Sequence, residues 1–213
     1  MPDFTALKQE AQRFGWIKTA YRIVMDRLGS VMQLYQISSR LLDPEAPPQP
    51  TPADLRIATY KELLAAAEQM PNQLTVEFID SALARGDICW GAFLDGKMVS
   101  FGWRAYQSTP HTEDIWVRVQ PPFRYGYKSY TRPEYRGMRV RDSTRSDSHC
   151  ASLGRTRGIG FIATHNFASL NRSKRQTTRI FHGYAGYLIV FGKPRFFRSL
   201  GVRKIGFEFY LNN

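Results

Sequence analysis

One stretch concentrates residue types that receive phosphate: Tyr130-Thr-Arg-Pro-Glu-Tyr-Arg-Gly-Met-Arg-Val-Arg141. Pro133 and Gly137 punctuate it as a loop, and a helix-capable stretch follows to Leu153. Successive amides ahead of a helix N-terminus, reinforced by the helix dipole, form an anion site. Guanidinium groups at 136, 139 and 141 supplement such amides toward phosphate oxygens. A second run, Asn166-Phe-Ala-Ser169, opens a predicted helix over 166–176, where the asparagine serves either as a ligand contact or as an N-cap. Carboxylates near the predicted central strands are Glu113, Asp114 and Glu134. His111, His149, His165 and His182 show neither an HExxH nor a triad grouping, and they read as scattered surface or capping residues. Cys89 and Cys150 lie far apart without a CxxC pair, which argues against a disulfide framework and a zinc site, so no metal is expected.

Elements must hold these residues in place. Apolar positions Ile17, Ala20, Val24, Leu28, Val31 and Tyr35 recur at steps of three and four, predicting two helices between about Phe4 and Leu42 with a break at Gly29-Ser30. Residues 1–43 are read as an N-terminal helical extension, 44–52 as a proline-rich extended connector, and 53–213 as the main domain. Within it, helix is expected from Pro52 through Met70 and again from Thr75 to Arg85, closed by Gly86. Asp95-Gly96 between Asp87–Leu94 and Lys97–Trp103 predicts a hairpin. Strands are expected at Phe123–Tyr130, Gly158–Thr164, Tyr184–Phe191 and Val202–Tyr210. Hairpin, strand, loop, helix, short strand and helix then follow in order.

That order, over roughly residues 74–213, resembles the GNAT family of CoA-dependent N-acyltransferases. The resemblance implies an α/β fold with a mixed, V-shaped, mostly antiparallel sheet flanked by helices, preceded here by the N-terminal extension. It implies acetyl-CoA or another acyl-CoA as co-substrate and direct attack of an amine on the thioester carbonyl. The segment 130–141 is similar to the family's acyl-CoA loop, which assigns cofactor binding to Tyr130, Thr131, Arg136, Gly137, Met138, Arg139, Val140 and Arg141. Arg136 opens the family's Arg/Gln-x-x-Gly-x-Gly/Ala pattern, while Arg139 and Arg141 stand where small residues are usual. A residue in the right-handed helical region needs no glycine, so a modified loop is expected. Asn166 and Ser169 match the family's Asn-x-x-Ser signature beside pantetheine, and Ser173 falls where a tyrosine often protonates the leaving thiolate. Tyr130, Tyr184 and Tyr187 are alternative acids, and Tyr130, Glu134 and Ser173 stand as the catalytic set.

Length and composition bound these readings. A chain of 213 residues, 43% apolar and 23% charged, folds around its own core. No apolar run suffices for a membrane-spanning helix and the start lacks a signal-peptide pattern, so a cytoplasmic protein is expected. The net charge of +12 is lopsided: residues 1–120 hold 12 Lys and Arg against 14 Asp and Glu, residues 121–213 hold 18 against 4. Such a field attracts polyanions. An acidic acyl carrier protein delivering a longer acyl group is therefore a second donor, and a non-catalytic binding module on a degenerate scaffold is the reading from another class. Aromatic and basic residues interleave at 123–128 and 193–198, a pattern shared with single-stranded nucleic-acid binders, but aromatic strands bury their rings by default and nucleic acid is disfavoured. Lys18, Arg22 and Arg27 beside Trp16, Ile17 and Val24 are compatible with peripheral membrane contact, with packing on the domain, or with a homodimer. The acceptor is not legible in the residues: a small amine, an amino sugar, a peptide terminus and an aminoacyl-tRNA are all compatible with them.

Overall fold

The computed structural model describes every residue except 1–3, 48–49, 141–143, 175–177 and 213, and for residues 4 and 6 the backbone alone. The chain is mixed α/β with mostly antiparallel sheet flanked by helices. It divides into two compact units, residues 40–160 and residues 1–39 with 161–212.

In the unit of residues 40–160, the chain leaves strand β1 (Met32–Leu41) and forms β2 (Asp54–Ile57), helices α3 (Tyr60–Gln69) and α4 (Val76–Ala84), and strands β3 (Ile88–Leu94) and β4 (Lys97–Ala105). A short pair, β5 (Thr109–Pro110) and β6 (Ile115–Arg118), precedes β7 (Phe123–Thr131), a 3-10 turn (Pro133–Tyr135), helix α5 (Thr144–Ser152) and the start of β8 (Arg157–Ala163). The strand order is β8-β7-β4-β3-β2, antiparallel except for β7 with β8. Asp95 and Gly96 both take left-handed φ, 48° and 75°, as a type I′ hairpin turn requires. Thr59 and Glu62 close a reciprocal capping box on α3, and Thr75 caps α4 by accepting from the Phe78 N–H. The two helices bury one sheet face around Leu63, Leu74, Ile79, Phe101 and Trp103. Ala92 and Val99 build a second, smaller core with Ala53, Leu55 and Val140. Helix α5 is held by buried Asp147, which accepts two hydrogen bonds from Arg40 (2.7 and 2.8 Å) and one from Arg124 (3.2 Å).

The other unit contains α1 (Phe4–Phe14), α2 (Trp16–Arg27), most of β1, the end of β8, α6 (Phe167–Lys174), β9 (Arg179–Val190), β10 (Lys193–Arg198), α7 (Leu200–Lys204) and β11 (Glu208–Leu211). Its strands run in the order β10-β9-β1. Its core is aromatic: Tyr35, Phe161, Phe207 and Phe209 meet at centroid distances of 4.9 to 5.9 Å.

Four local expectations change. The helical break falls at Gly15, and the residues after Gly29-Ser30 form strand β1, because Tyr35 and Ile37, two apart, are both buried. Pro52–Leu55 opens a strand, since Leu55 pairs with Ala92, and the helix waits for its Thr59 cap. Lys193–Arg198 is a further strand on β9. Val202–Tyr210 splits into α7 and β11 at Gly206, whose φ is 69°.

Candidate functional site

Strand β7 is longer than the ladder it makes with β8. Its parallel ladder to β8 spans only Phe123–Tyr125 against Arg157–Ile159, whereas on its other side it pairs with β4 as far as Thr131. From Gly126 onward no pairing with β8 is present among the described residues, and the alternate amides and carbonyls of that edge have the spacing that an added strand would use. A bulge distorts β7 there: the register to β4 slips between Trp103↔Tyr127 and Phe101↔Tyr130, with Lys128 at φ 41°.

The loop at the end of this edge is fastened on both flanks. The Ser100 hydroxyl donates to the Tyr130 carbonyl, and it shares a hydrogen bond with the Thr131 hydroxyl, both at 2.8 Å. The Arg132 amide donates to the Val99 carbonyl and its Nε to the Met98 carbonyl. On the far flank Val140 is buried among Leu55, Ala92 and Val99. Between these anchors, the amides of Tyr135, Arg136 and Met138 are taken by the carbonyls of Arg132, Pro133 and Tyr135. Those of Gly137, Arg139 and Val140 meet no acceptor among the described residues. Gly137 and Arg139 take positive φ, 88° and 50°, a turn geometry that gathers N–H groups into an anion-binding concavity. Arg139 thus adopts a left-handed conformation of the kind glycine takes readily, contrary to the right-handed geometry expected of it. The side chains of Arg136 and Arg139 are exposed, Arg136 spending its Nε on the Thr131 carbonyl at 3.3 Å.

Beside the bulge lies a polar cluster that sequence reasoning missed. The Tyr127 hydroxyl donates to Asp87 Oδ2 at 2.7 Å, and Arg85 reaches the same oxygen from 3.1 Å. Asp87 is buried, with Oδ1 lacking a hydrogen-bond partner. Burial pushes its carboxyl above the usual range, against the opposing pull of Tyr127 and Arg85, and burial likewise raises the Tyr127 phenol. Lys128 holds its ammonium 4.2 Å from the Phe78 ring centroid, where desolvation lowers its pKa. The available signal was a carboxylate at 87, directly after Gly86, opening an otherwise apolar strand.

Of the residues singled out by sequence, Tyr130, Thr131 and 136–140 come together on this loop and strand. Tyr130 packs its ring 5.9 Å from Phe101, and Glu134 is exposed on the 3-10 turn. Arg141 lies outside the described residues. Asn166, Ser169 and Ser173 belong to the other unit, where Asn166 Oδ1 accepts from the Ser169 amide as the cap of α6 and Ser173 is buried. Tyr187 is buried there and Tyr184 exposed on β9, while Glu113 and Asp114 are exposed between β5 and β6. Among the described residues no group of three or more His, Cys, Asp or Glu is placed to hold a metal.

Comparison with known proteins completes the description. No protein-family model matches the sequence, and no curated protein is significantly similar to it. Solved structures do match. One is assigned to the GNAT acetyltransferase family, from Novosphingobium aromaticivorans, at 16% identity and a TM-score of 0.48, over 72% of this chain and 62% of that one. Another is a GNAT-family acetyltransferase of Colwellia psychrerythraea, at 13% identity and 0.45, over 72% and 53%. A third is an N-acetyltransferase of Kribbella flavida, at 11% and 0.44, over 77% and 62%. These neighbours are described as acetyltransferases. The chain spans less than two thirds of the length of each.

Proposed function

We propose that the protein is a CoA-dependent N-acyltransferase that moves an acyl group, acetyl by default, from the thioester to a small amine. The observation that supports this best is the juxtaposition on one strand of two unlike binding features. A loop with open amides and two exposed guanidinium groups suits a diphosphate, and the strand edge running up to it suits an extended arm bearing amides. Coenzyme A combines those two chemistries in one molecule.

In this reading Gly137, Arg139 and Val140 receive the diphosphate through their amides, with Arg136 and Arg139 adding charge, and a β7 amide polarises the thioester carbonyl. The amine nitrogen forms the new C–N bond as the C–S bond breaks and the electron pair leaves on sulfur. Its proton passes to the Tyr127 oxygen while the phenol proton moves to Asp87, a carboxylate whose proton affinity burial raises. Tyr130, at the loop's entrance, returns a proton to the thiolate.

Thermal unfolding with acyl-CoA tests this. A ligand at about 100 times its Kd adds about 2.7 kcal/mol, a shift of several degrees for a unit of this size. Gly137→Pro is expected to abolish the shift by removing an amide and a positive φ. Tyr127→Phe is expected to keep the shift and lose kcat. If acetyl-CoA, longer acyl-CoAs and acyl carrier protein all leave the melting temperature unmoved, or if Gly137→Pro binds like the wild type, the assignment fails.

A further inference from the structure

Strands β9 and β10 form a hairpin closed by Phe191-Gly192, both at left-handed φ, 49° and 73°. The register sets Lys193 opposite Val190, Arg195 opposite Leu188 and Phe197 opposite Gly186. One face of the hairpin therefore presents Leu188, Lys193, Arg195 and Phe197 together. A Cβ on Gly186 would fall 2.9 Å from the Phe197 ring, so the ring lies over that glycine on this face. Gly183, at φ 128°, interrupts the alternation and brings Phe181 to 5.4 Å from Tyr184. On the opposite face Tyr187 is buried against Phe209, while Phe196, which it also meets, is 36% exposed.

The rings at 193–198 were expected to be buried, but Phe197 is 42% exposed, and Phe191, at the tip, is fully exposed at 101%. The unit that carries this face holds 14 Lys and Arg against 4 Asp and Glu. Apolar side chains standing clear of the surface beside unopposed positive charge complement a surface that is both negative and greasy.

We propose that this hairpin face docks the protein onto an anionic phospholipid bilayer. Phe191 and Phe197 enter the boundary between head groups and acyl chains, and Lys193 and Arg195 meet the lipid phosphates. The shape of the face favours this occupant over its rivals. Phe181 and Tyr184 meet edge to face at 71°, which offers no flat platform for stacked bases, and Leu188 has no use in stacking. A second copy docked through the same face would bring two sets of Lys193 and Arg195, four like charges, into one interface. Among the described residues no helix is long and apolar enough to cross a membrane, and the docking proposed is to the surface.

Sedimentation of the full chain with vesicles tests the proposal, using phosphatidylcholine alone and phosphatidylcholine mixed with phosphatidylglycerol. Binding is expected to the anionic vesicles only and to fall as salt is added. Phe191→Ser is expected to weaken partition by about tenfold, the effect of withdrawing one buried phenyl ring, with an unchanged melting temperature. The double variant Lys193→Glu, Arg195→Glu is expected to lose binding entirely. Partition onto neutral vesicles to the same extent, no partition at all, or wild-type partition by either variant overturns the proposal. So does a single-stranded oligonucleotide bound, or a dimer formed, through Phe191 when vesicles are not.

Discussion

Arg139 carries the sharpest conflict between local preference and local geometry. A side chain in the left-handed region costs about 1 to 2 kcal/mol, and a structure keeps such strain where something else demands it. Here the demand is a chain that turns to expose its amides while keeping Val140 buried. Arg139→Gly separates the two contributions of this residue. The strain disappears, and although glycine adds entropy to the unfolded chain, stability is expected to rise by up to about 1 kcal/mol. The guanidinium disappears as well, so affinity for acyl-CoA is expected to fall by about fivefold, the worth of one solvent-accessible charged hydrogen bond. Arg139→Ala loses the charge and keeps the strain, so affinity is expected to fall while stability stays near that of the wild type. Urea denaturation and calorimetric titration read the two effects. Unaltered affinity in both variants would remove Arg139 from the phosphate site.

At the level of elements, α5 is positioned less by its own sequence than by one buried carboxylate. Its mean hydropathy is low and its residues, Thr144–Ser152, are largely polar, so packing alone is a weak restraint. Asp147 binds Arg40 through both oxygens and Arg124 through one, tying the helix to the end of β1 and to β7. Asp147→Ala strands two guanidinium groups, one of them buried, and is expected to cost about 3 to 5 kcal/mol in urea denaturation, whereas a loss below about 1 kcal/mol would show that α5 docks without this clamp. No sequence rule announces such a pairing, because Arg40 and Asp147 are 107 residues apart. The elements that were legible carry their signal locally: Asp95-Gly96 dictates a hairpin, Thr75 and Gly86 bracket α4, and the alternating aromatics of 123–130 form β7. Strand β1 was not legible, since helical spacing at Val31 and Tyr35 coincides with a strand whose second buried position, Ile37, only the sheet reveals. The turn itself was legible from Pro133 and Gly137, and its proposed role as an anion site rests on the open amides and arginines it carries. Its partner features, the shortened ladder of β7 and the Asp87–Tyr127 pair, depend on register and burial and so required coordinates.

Across the whole molecule, positive charge makes acid the vulnerable direction, and His111 contributes to the loss. Burial pushes His111 from 6.5 down to about 4. Between those values the unfolded chain binds a proton that the folded protein refuses, so the folded state loses ground as pH drops from about 6.5 to about 4 and loses no more from this group below that. Asp87 works in the opposite sense, because its carboxyl is raised by burial and takes up a proton in the folded state first, which adds stability as pH falls. The raw pH profile mixes the two with general charge repulsion at +12 and rising. The difference between wild type and His111→Gln isolates the histidine. That difference is expected to be flat above about pH 7, to move by about 3 kcal/mol in favour of the variant on descending to pH 4, and to flatten again below, as followed by urea denaturation at each pH. A difference that stays constant throughout would mean that the ring is hydrated in the folded state, and a difference that moves the other way would mean that an unassigned carboxylate pairs with it.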